Sequence, residues 1–413
     1  MKIFRLTSVS LVAVAWAINA QALDLLGDYQ KALTYDPAYR TAEAEFQANQ
    51  ASATQARVAY LPQASLSNQR LDNDTTDRRT MRVTQPVIDL ARFAEWQQAE
   101  PRQGYAEATF LLKQQDLAQR ILKGANAIIL ANENLKLNAA KIDALSLQAE
   151  ASKRKLELGQ GTVTDLRDVE VKTAQAKAQQ LGYKTALSVA VKQYAAITGQ
   201  TPDVAGFQLG MHDRSHTLQP TLQYVDAALQ KSPGLQAIRY TQRVAELEVR
   251  KSSGALLPTV AATYSNSKAG ELTSSYSGIV VNMPLNAGSY YARQSVNAAY
   301  IKAQEAARDA EQKTRLEVER LSEQISTGLE TLAIQKDAIA SAELSLEANQ
   351  KSYEGGVRST VDVLNATQTV FQVKSEYITT ATAEAENLLA LSLQTEVDPV
   401  QSLQTTLRYL IGK

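Results

Sequence analysis

The feature that most constrains the fold is a duplication, because the second half of the chain repeats landmarks of the first half in the same order. GQGTVTDL (159–166), for example, is matched by GVRSTVDV (356–363). Four anchor pairs recur at offsets of 196, 196, 198 and 197 residues: Pro37 and Pro233, Pro62 and Pro258, Pro86 and Pro284, and Asp165 and Asp362. Such self-similarity at one spacing indicates structural repeats. We assign the repeats to residues 23–205 and 221–413, joined by a linker over 206–220.

Each repeat contains one segment with the composition of β-strands. Residues 63–87 and 259–285 are rich in Ser, Thr, Val and Tyr, and each has a turn-forming centre. Apolar and polar residues alternate only in part, as in Met81 and Val83 around Arg82. Weak alternation of this kind is typical of strands in a membrane barrel. The sequence therefore predicts β-hairpins at about 63–87 and 259–285.

A long helical stretch follows each hairpin. In the first repeat, apolar and small residues recur every three to four positions, a period typical of coiled-coil packing. This seam consists of Ala108, Leu111, Gln115, Ala118, Leu122, Ala125, Ile129, Asn132, Leu135, Ala139, Ile142, Leu145, Ala149, Ser152 and Leu156. Pro101 near the start of the stretch is expected to kink or interrupt its first turns. The pattern predicts long helices that pack closely side by side.

Glycines interrupt both helical stretches, and the helical pattern resumes at once. We predict helical turns at about 158–162 and about 354–359. Two pairs of glycines mark these turns: Gly159, Gly161, Gly355 and Gly356. A hydroxyl residue and an aspartate three positions later follow each turn: Thr162 and Asp165, Ser359 and Asp362. This spacing is that of an approximate capping box, so a new helix should begin after each turn.

The first 22 residues have the form of an export signal. Lys2 and Arg5 precede an apolar run from Leu6 to Ile18, and Ala20-Gln21-Ala22 resembles a cleavage site. The apolar run is shorter than the roughly 20 residues needed to span a bilayer, which disfavours an uncleaved anchor. We therefore predict a cleaved signal peptide over residues 1–22 and an exported protein.

Composition excludes several classes of function. The chain has no cysteine, so it has no disulfide, thiolate metal site or lipid attached to cysteine. Its net charge of zero is not the basic footprint of a nucleic-acid-binding protein. His212 and His216 have a spacing that suits a metal pair, but no acidic ligand set accompanies them. We expect no enzyme activity, no metal site and no cofactor.

The two predicted hairpins together supply too few strands for a barrel. Closing even a filled barrel takes about eight strands, and an open sheet in lipid would leave its edges without hydrogen bonds. Either the hairpins lie on a soluble protein, or several chains close one barrel together. Three chains would give about 12 strands, an even number suited to an outer membrane.

The chain resembles the TolC family of outer-membrane export ducts. The resemblance covers nearly all of the chain after residue 22 and depends above all on VRSTVDVLNAT (357–367). It implies a mainly α fold with a small β part, in which two structural repeats of long helical hairpins form a coiled-coil-packed α-barrel. The two β-hairpins would contribute four strands to a 12-stranded trimeric outer-membrane β-barrel.

The resemblance also implies location and partners. The protein would be a homotrimer in the outer membrane of a Gram-negative bacterium, extending into the periplasm. It would act with a periplasmic adaptor (membrane fusion) protein and an inner-membrane pump, either an ABC transporter or a proton-driven exporter. The absence of a lipid-attachment cysteine favours type I protein secretion over drug efflux. A soluble periplasmic coiled-coil scaffold or adaptor is the alternative from a different class.

Site residues follow from the resemblance as well. Asp165, Tyr353 and Arg358 match residues that hold the duct entrance closed, and Asp362 matches an aspartate ring that narrows it. Asn365 replaces the family's second aspartate, so this entrance should be less acidic. Alternatives are helix capping for the two aspartates and seam packing for the tyrosine. A basic run is interpreted either as an adaptor contact or as a solvated helix end: Lys153, Arg154 and Lys155.

Overall fold

The computed structural model describes residues 23–70, 77–210, 218–283, 288–396 and 398–411. The predicted signal peptide over 1–22 and the pair His212 and His216 lie outside the described residues. The elements in chain order are α1 (Leu25–Tyr35), α2 (Pro37–Arg57), β1 (Gln63–Gln69), β2 (Arg78–Ile88), α3 (Leu90–Gln97), α4 (Ala99–Glu157), α5 (Val163–Thr198), a 3-10 turn (Val204–Gly206), α6 (Thr221–Lys231), α7 (Pro233–Gly254), β3 (Thr259–Ala269), β4 (Leu272–Asn282), α8 (Gly288–Glu354), α9 (Thr360–Thr395) and α10 (Pro399–Ile411). The fold is mainly helical with one small sheet.

Both halves of the chain use the same order of short helices, hairpin and long helices. The paired prolines explain the first boundary in each half. Pro37 and Pro233 open α2 and α7, while α1 and α6 end just before them. Proline is tolerated in the first turn of a helix, because the N–H groups there have no hydrogen-bond acceptor within the helix. Proline also disfavours the helical conformation in the residue before it. The anchor prolines therefore set equivalent helix boundaries.

The long helices give the molecule its length. Helix α4 has 59 residues and α8 has 67, which correspond to about 90 and 100 Å at roughly 1.5 Å per residue. The break before α4 falls at Gln98 rather than at Pro101. Pro101 is accepted in the first turn of α4 because N–H groups there lack intrahelical partners.

The core follows the seam of α4, and every predicted seam residue is buried or half-buried. A second row of fully buried residues that the seam did not include lies beside it: Leu117, Ile121 and Ile128. Helix α4 packs against α5, α7, α2 and α9, with the ends of α1 and α10 also against it. Burial on two sides of the helix makes α4 the central element of the fold.

The sheet has the order β1-β2-β3-β4, and all neighbouring strands are antiparallel. The pairing of β2 with β3 joins the hairpins of the two repeats into one sheet. We call the end near Gln63 and Ile88, where the helices attach, the base, and the end near Gln69 and Leu272 the tip. Among the described residues, no helix is long and apolar enough to cross a membrane.

Candidate functional site

Both long helices end in the same glycine-dependent motif. Gly159 and Gly356 have φ angles of 68° and 75°, a left-handed conformation that costs a residue with a Cβ about 1–2 kcal/mol. The amide of Gln160 donates to the carbonyl of Lys155 at 2.8 Å, and the equivalent bond in the second turn is 2.9 Å. These bonds form Schellman caps. The other two predicted turn glycines lack a positive φ: Gly161 and Gly355.

The helices that follow the turns begin with complete capping boxes, as the sequence predicted. The Asp165 amide donates to Thr162 Oγ1 at 3.1 Å, and the Thr162 amide donates to the Asp165 carboxylate at 3.3 Å. Ser359 and Asp362 form the same pair of bonds at 3.3 and 3.0 Å. Hydrogen bonds from the Ser359 backbone and side chain lower the pKa of Asp362. Capping is therefore one role of both aspartates.

Tyr353 connects the two turns. The Lys155 ammonium lies 3.6 Å from the centroid of the Tyr353 ring and donates to the Tyr353 carbonyl at 3.4 Å. Burial raises the pKa of the Tyr353 phenol, but hydrogen bonding with Thr360 and the charge of Lys155 outweigh that effect, so the pKa is lowered. Tyr353 thus links the end of α4 to the end of α8 and the start of α9.

Arg358 lies beside Asp362 rather than beside Asp165. Its Nη1 is 3.8 Å from Asp362 Oδ1, and the two side chains are 57% and 38% exposed, so the pair contributes only about 0–1 kcal/mol. Within the described residues, Arg358 forms no ion pair with Asp165. Asn365 is exposed three residues beyond Asp362, on a neighbouring position of α9. One chain therefore pairs Arg358 with Asp362 and forms no ion pair between Arg358 and Asp165.

A small apolar cluster lies between α4, α5 and α9, in the part of these helices closest to the turns. It combines one residue of α4 with two of α5 and one of α9: Leu145, Val169, Ala176 and Leu364. The cluster is separate from the main core around the middle of α4. Because the cluster is small, this end of α4, α5 and α9 buries little apolar area, and such regions open at low free-energy cost.

The contact of Lys155 with Tyr353 was not predicted from the sequence. The basic run 153–155 was open to interpretation as an adaptor contact or a solvated helix end, whereas the structure places Lys155, half-buried, against Tyr353. The two residues are 198 positions apart. No local pattern indicates their contact, since it depends on how the end of α4 meets the end of α8.

The register of the sheet separates an apolar face from a polar face. The apolar face carries Ala64, Leu66, Met81, Val83, Val260, Ala262, Tyr264, Ile279 and Val281, together with the polar residues Asn68, Gln85, Asn266, Thr273, Ser275 and Ser277 and the cations Arg79 and Lys268. The opposite face is mainly polar: Ser65, Ser67, Thr80, Arg82, Thr84, Thr263, Ser265, Ser267 and Ser274, with Pro86, Ala261, Ala269, Leu272, Tyr276 and Val280 as apolar exceptions. Leu66 and Ile279 are 80% and 75% exposed. One chain therefore leaves the apolar face uncovered.

The apolar band crosses the strands obliquely. It lies at Leu66, midway along β1, at its partner Met81 toward the tip of β2, and at Ile279 and Val281 toward the base of β4. An oblique band is expected where strands are tilted by about 35–45° from the membrane normal. In the described part of the chain, no group of three or more His, Asp or Glu side chains could hold a metal ion.

Long helical hairpins that continue into a small sheet with an exposed apolar face define a membrane duct. The chain belongs to the outer membrane efflux protein family, whose profile matches residues 29–200 and 224–395. It is accordingly a transport duct and not an enzyme, and it lies in the outer membrane of a Gram-negative bacterium and extends into the periplasm.

Individual relatives agree with this assignment. The alkaline protease secretion protein AprF of Pseudomonas aeruginosa is 25% identical over 392 residues, which cover 87% of this chain and 81% of AprF. The outer membrane protein TolC of Escherichia coli is 24% identical over 389 residues, or 86% of this chain and 79% of TolC. The crystal structure of the outer membrane protein VceC of Vibrio cholerae superposes with a TM-score of 0.76 at 18% identity, covering 90% of this chain and 95% of VceC. The channel-tunnel fold is therefore shared.

Proposed function

We propose that three copies of the chain close one barrel in the outer membrane and one helical tunnel below it, and that this homotrimer exports substrates from the cell. The observation that carries the proposal is the open sheet. Strands β1 and β4 are its outer strands, and an unpaired strand edge in lipid would leave backbone groups without hydrogen bonds. Joining β4 of one copy to β1 of the next continues the antiparallel alternation. Three copies then supply about 12 strands, an even number typical of outer-membrane barrels.

The two faces of the sheet support the same arrangement. In such a barrel the apolar face contacts lipid and the polar face lines the lumen, because side chains alternate across the pleat. Arg82, with Ser65 and Ser265 as its partners on the adjacent strands, would then face the water-filled interior. Below the barrel, the helical hairpins would form the walls of the periplasmic tunnel.

The absence of native cysteine allows a direct test of the arrangement. Ser65→Cys on β1 combined with Ser274→Cys on β4 should give cross-linked dimers and trimers with a short bis-maleimide. Ser65→Cys with Ser265→Cys on β3 is the matched control, since those strands lie in one sheet with only β2 between them and should link within one chain. A monomeric mass in detergent, with no cross-links between chains, would rule out the trimeric duct.

The turns form the closed inner end of the proposed tunnel. There, Asp165 of one copy would face Arg358 and Tyr353 of the next, as the resemblance to the family implies; within one chain Arg358 pairs instead with Asp362. Asp362 would contribute one ring of three carboxylates, and Asn365 would leave the second ring of the family pattern uncharged. Exposed pairs of this kind contribute only about 0–1 kcal/mol each, which suits a latch that must open.

A periplasmic adaptor protein and an inner-membrane pump would act with the duct. Type I protein secretion, driven by an ABC transporter, is supported by two relatives named for secretion, AprF and the proteases secretion protein PrtF of Dickeya chrysanthemi, which is 26% identical over 391 residues. Drug efflux through a proton-driven pump is the second candidate, supported by the outer membrane efflux protein BepC of Brucella suis, 28% identical over 244 residues.

Complementation separates the two candidates. The chain would be expressed in one strain that lacks its protease-secretion duct and in another that lacks its drug-efflux duct. Restored protease in the medium without restored drug resistance is expected for type I secretion. Restored resistance alone would assign the duct to drug efflux instead.

The division of the chain is part of the proposal. Residues 1–22 would be removed as a signal peptide, and the repeats would span 23–205 and 221–413 around the linker 206–220. Amino-terminal sequencing of protein purified from outer membranes should then begin at Leu23. A sequence beginning at Met1 would mean that the segment is retained.

A further inference from the structure

Two cations lie opposite each other on the apolar face of the sheet. Arg79 of β2 pairs with Lys268 of β3 in the register, and Met81 and Tyr264 lie on the same face closer to the base. Both cationic side chains are exposed. Among the strand residues on this face, Arg79 and Lys268 are the charged ones, and both lie near the tip.

This placement is unfavourable for the sheet alone. Residues directly opposite in an antiparallel pair have Cβ atoms about 4.5–5.5 Å apart, and like charges there are destabilising. Among the described residues, neither cation forms an ion pair, and the carboxylate of the nearby Asp77 lies 3.9 Å from Arg70. An anion from outside the chain would turn the repulsion between Arg79 and Lys268 into two attractions.

The depth of the pair indicates where that anion would be. From Arg79 to Ile88 strand β2 rises about 30 Å at roughly 3.3 Å per residue, or about 23 Å along the normal of the membrane at a tilt of roughly 40°. Phe93 and Trp96, stacked with ring centroids 5.6 Å apart and both exposed, follow the base of β2 and suit the opposite interface. In the proposed duct, the cations would therefore lie at the headgroup level of the outer leaflet.

We propose that Arg79 and Lys268 together bind the phosphate of an anionic lipid in the outer leaflet, with the lipid tails along Leu66 and Met81 on the apolar face below. The planar guanidinium can donate two parallel hydrogen bonds to phosphate oxygens, and the ammonium adds a point charge. This inference rests on the proposed trimeric duct, which would carry three such sites on its outer surface.

The test compares two variants with the same loss of charge on opposite faces. Arg79→Gln with Lys268→Gln removes the outward pair, and Arg78→Gln with Arg82→Gln removes two cations from the polar face. Native mass spectrometry of the detergent-purified trimer would measure binding of phosphatidylglycerol, with phosphatidylcholine as the zwitterionic comparison. Each basic residue near an anionic lipid contributes about a factor of five, so the outward variant should lose about 25-fold in phosphatidylglycerol affinity. The polar-face variant should keep it.

A single substitution and a competing anion distinguish a lipid site from a plain anion site. Arg79→Lys keeps the charge but loses the planar guanidinium that donates two parallel hydrogen bonds. Its affinity for phosphatidylglycerol should therefore lie between that of the wild type and that of the outward double variant. Millimolar inorganic phosphate should not displace the lipid, and displacement would show a plain anion site. Equal losses in the two double variants, or no loss in the outward one, would overturn the inference. A wild-type chain that does not form a trimer would instead contradict the proposed duct.

Discussion

The ammonium group of Lys155 lies 3.6 Å from the centroid of the Tyr353 ring, and this contact joins the ends of the two longest helices. The same nitrogen donates to the Tyr353 carbonyl at 3.4 Å, across 198 residues of sequence. The turns of the two repeats are therefore connected within one chain, independently of any contact between copies. A latch at this end would therefore combine the contact of Lys155 with Tyr353 inside each chain with the proposed contact of Asp165 with Arg358 between neighbouring chains.

Replacing Lys155 by methionine should loosen the second turn, because the aliphatic stem remains while the charge is lost. A cation–π contact of this exposure contributes about 0.5–1 kcal/mol. Amide hydrogen exchange in residues 355–359 should accordingly become about two- to fivefold faster, measured by mass spectrometry. Lys153→Met is the control, since Lys153 is exposed in the same basic run. Equal exchange in the two variants would show that the contact does not hold the turn.

Arg358→Ser and Asp165→Ala should each raise the single-channel conductance of the trimer in planar bilayers. In the proposed trimer, each change removes one side of the contact between neighbouring copies, and exposed pairs are weak enough to be lost singly. Arg167→Ser is the matched control, because Arg167 pairs with Glu170 along α5 at 2.6 Å. Unchanged conductance in both test variants would contradict the latch.

The aspartate ring predicts how divalent cations act on the duct. Asp362→Ala should weaken block by divalent cations, whereas Asn365→Asp should strengthen it by adding a second ring of carboxylates. The hydrogen bonds of Ser359 hold the pKa of Asp362 below its ordinary 3.8, so block should persist down to about pH 5. Block that is the same in the wild type and both variants, measured by conductance titration, would place Asp362 away from the pore.

The starts of α2 and α7 and the two turns could be predicted from the sequence because they depend on local chemistry. Proline sets the starts of α2 and α7, and glycine with a hydroxyl residue sets the turns. The predicted hairpins contain the strands Gln63–Gln69 and Thr259–Ala269. Each of these features follows from a few neighbouring residues, so one sequence is enough to indicate it.

Features that depend on distant parts of the chain could not be predicted in this way. The period of α4 indicated one seam, but Ile121 and Ile128 are buried in a second row against other helices. The opposition of Arg79 and Lys268 required the register between β2 and β3, which belong to different repeats. The sequence also does not show which of Asp165 and Asp362 pairs with Arg358, since both aspartates satisfy the capping pattern.

Gly356→Ala should open the second turn, because the left-handed conformation at φ 75° costs alanine about 1–2 kcal/mol. The amide of Val357, which donates to the Ser352 carbonyl at 2.9 Å, should exchange about five- to thirtyfold faster. Gly355→Ala is the control, since Gly355 lacks a positive φ and a Cβ there would meet only ordinary contacts at 3.7 Å. Equal effects of the two changes would show that the turn does not depend on the left-handed residue.

A buried acid in the helical body lies far along α9 from the turns. Glu384 is 2% exposed and packs against Gly328 of α8, where a Cβ would overlap the carboxylate. Burial raises the pKa of Glu384 from 4.5 to about 7, although a hydrogen bond with Asn387 acts in the opposite direction. Glu384 Oε1 has no hydrogen-bond partner among the described residues. The folded chain therefore favours the neutral acid.

This raised pKa gives stability a definite dependence on pH. The folded state holds a proton that the unfolded state releases above pH 4.5, so the free energy of unfolding should fall between pH 4.5 and about pH 7. Glu384→Gln keeps the size and removes the charge, so its free energy of unfolding at pH 8 should exceed that of the wild type by roughly 3 kcal/mol. At pH 4.5 the two should unfold together. Glu323→Gln, at an exposed position of α8, is the control. A Glu384→Gln variant less stable than the wild type at pH 8 would mean that the carboxylate has a partner in the assembled trimer.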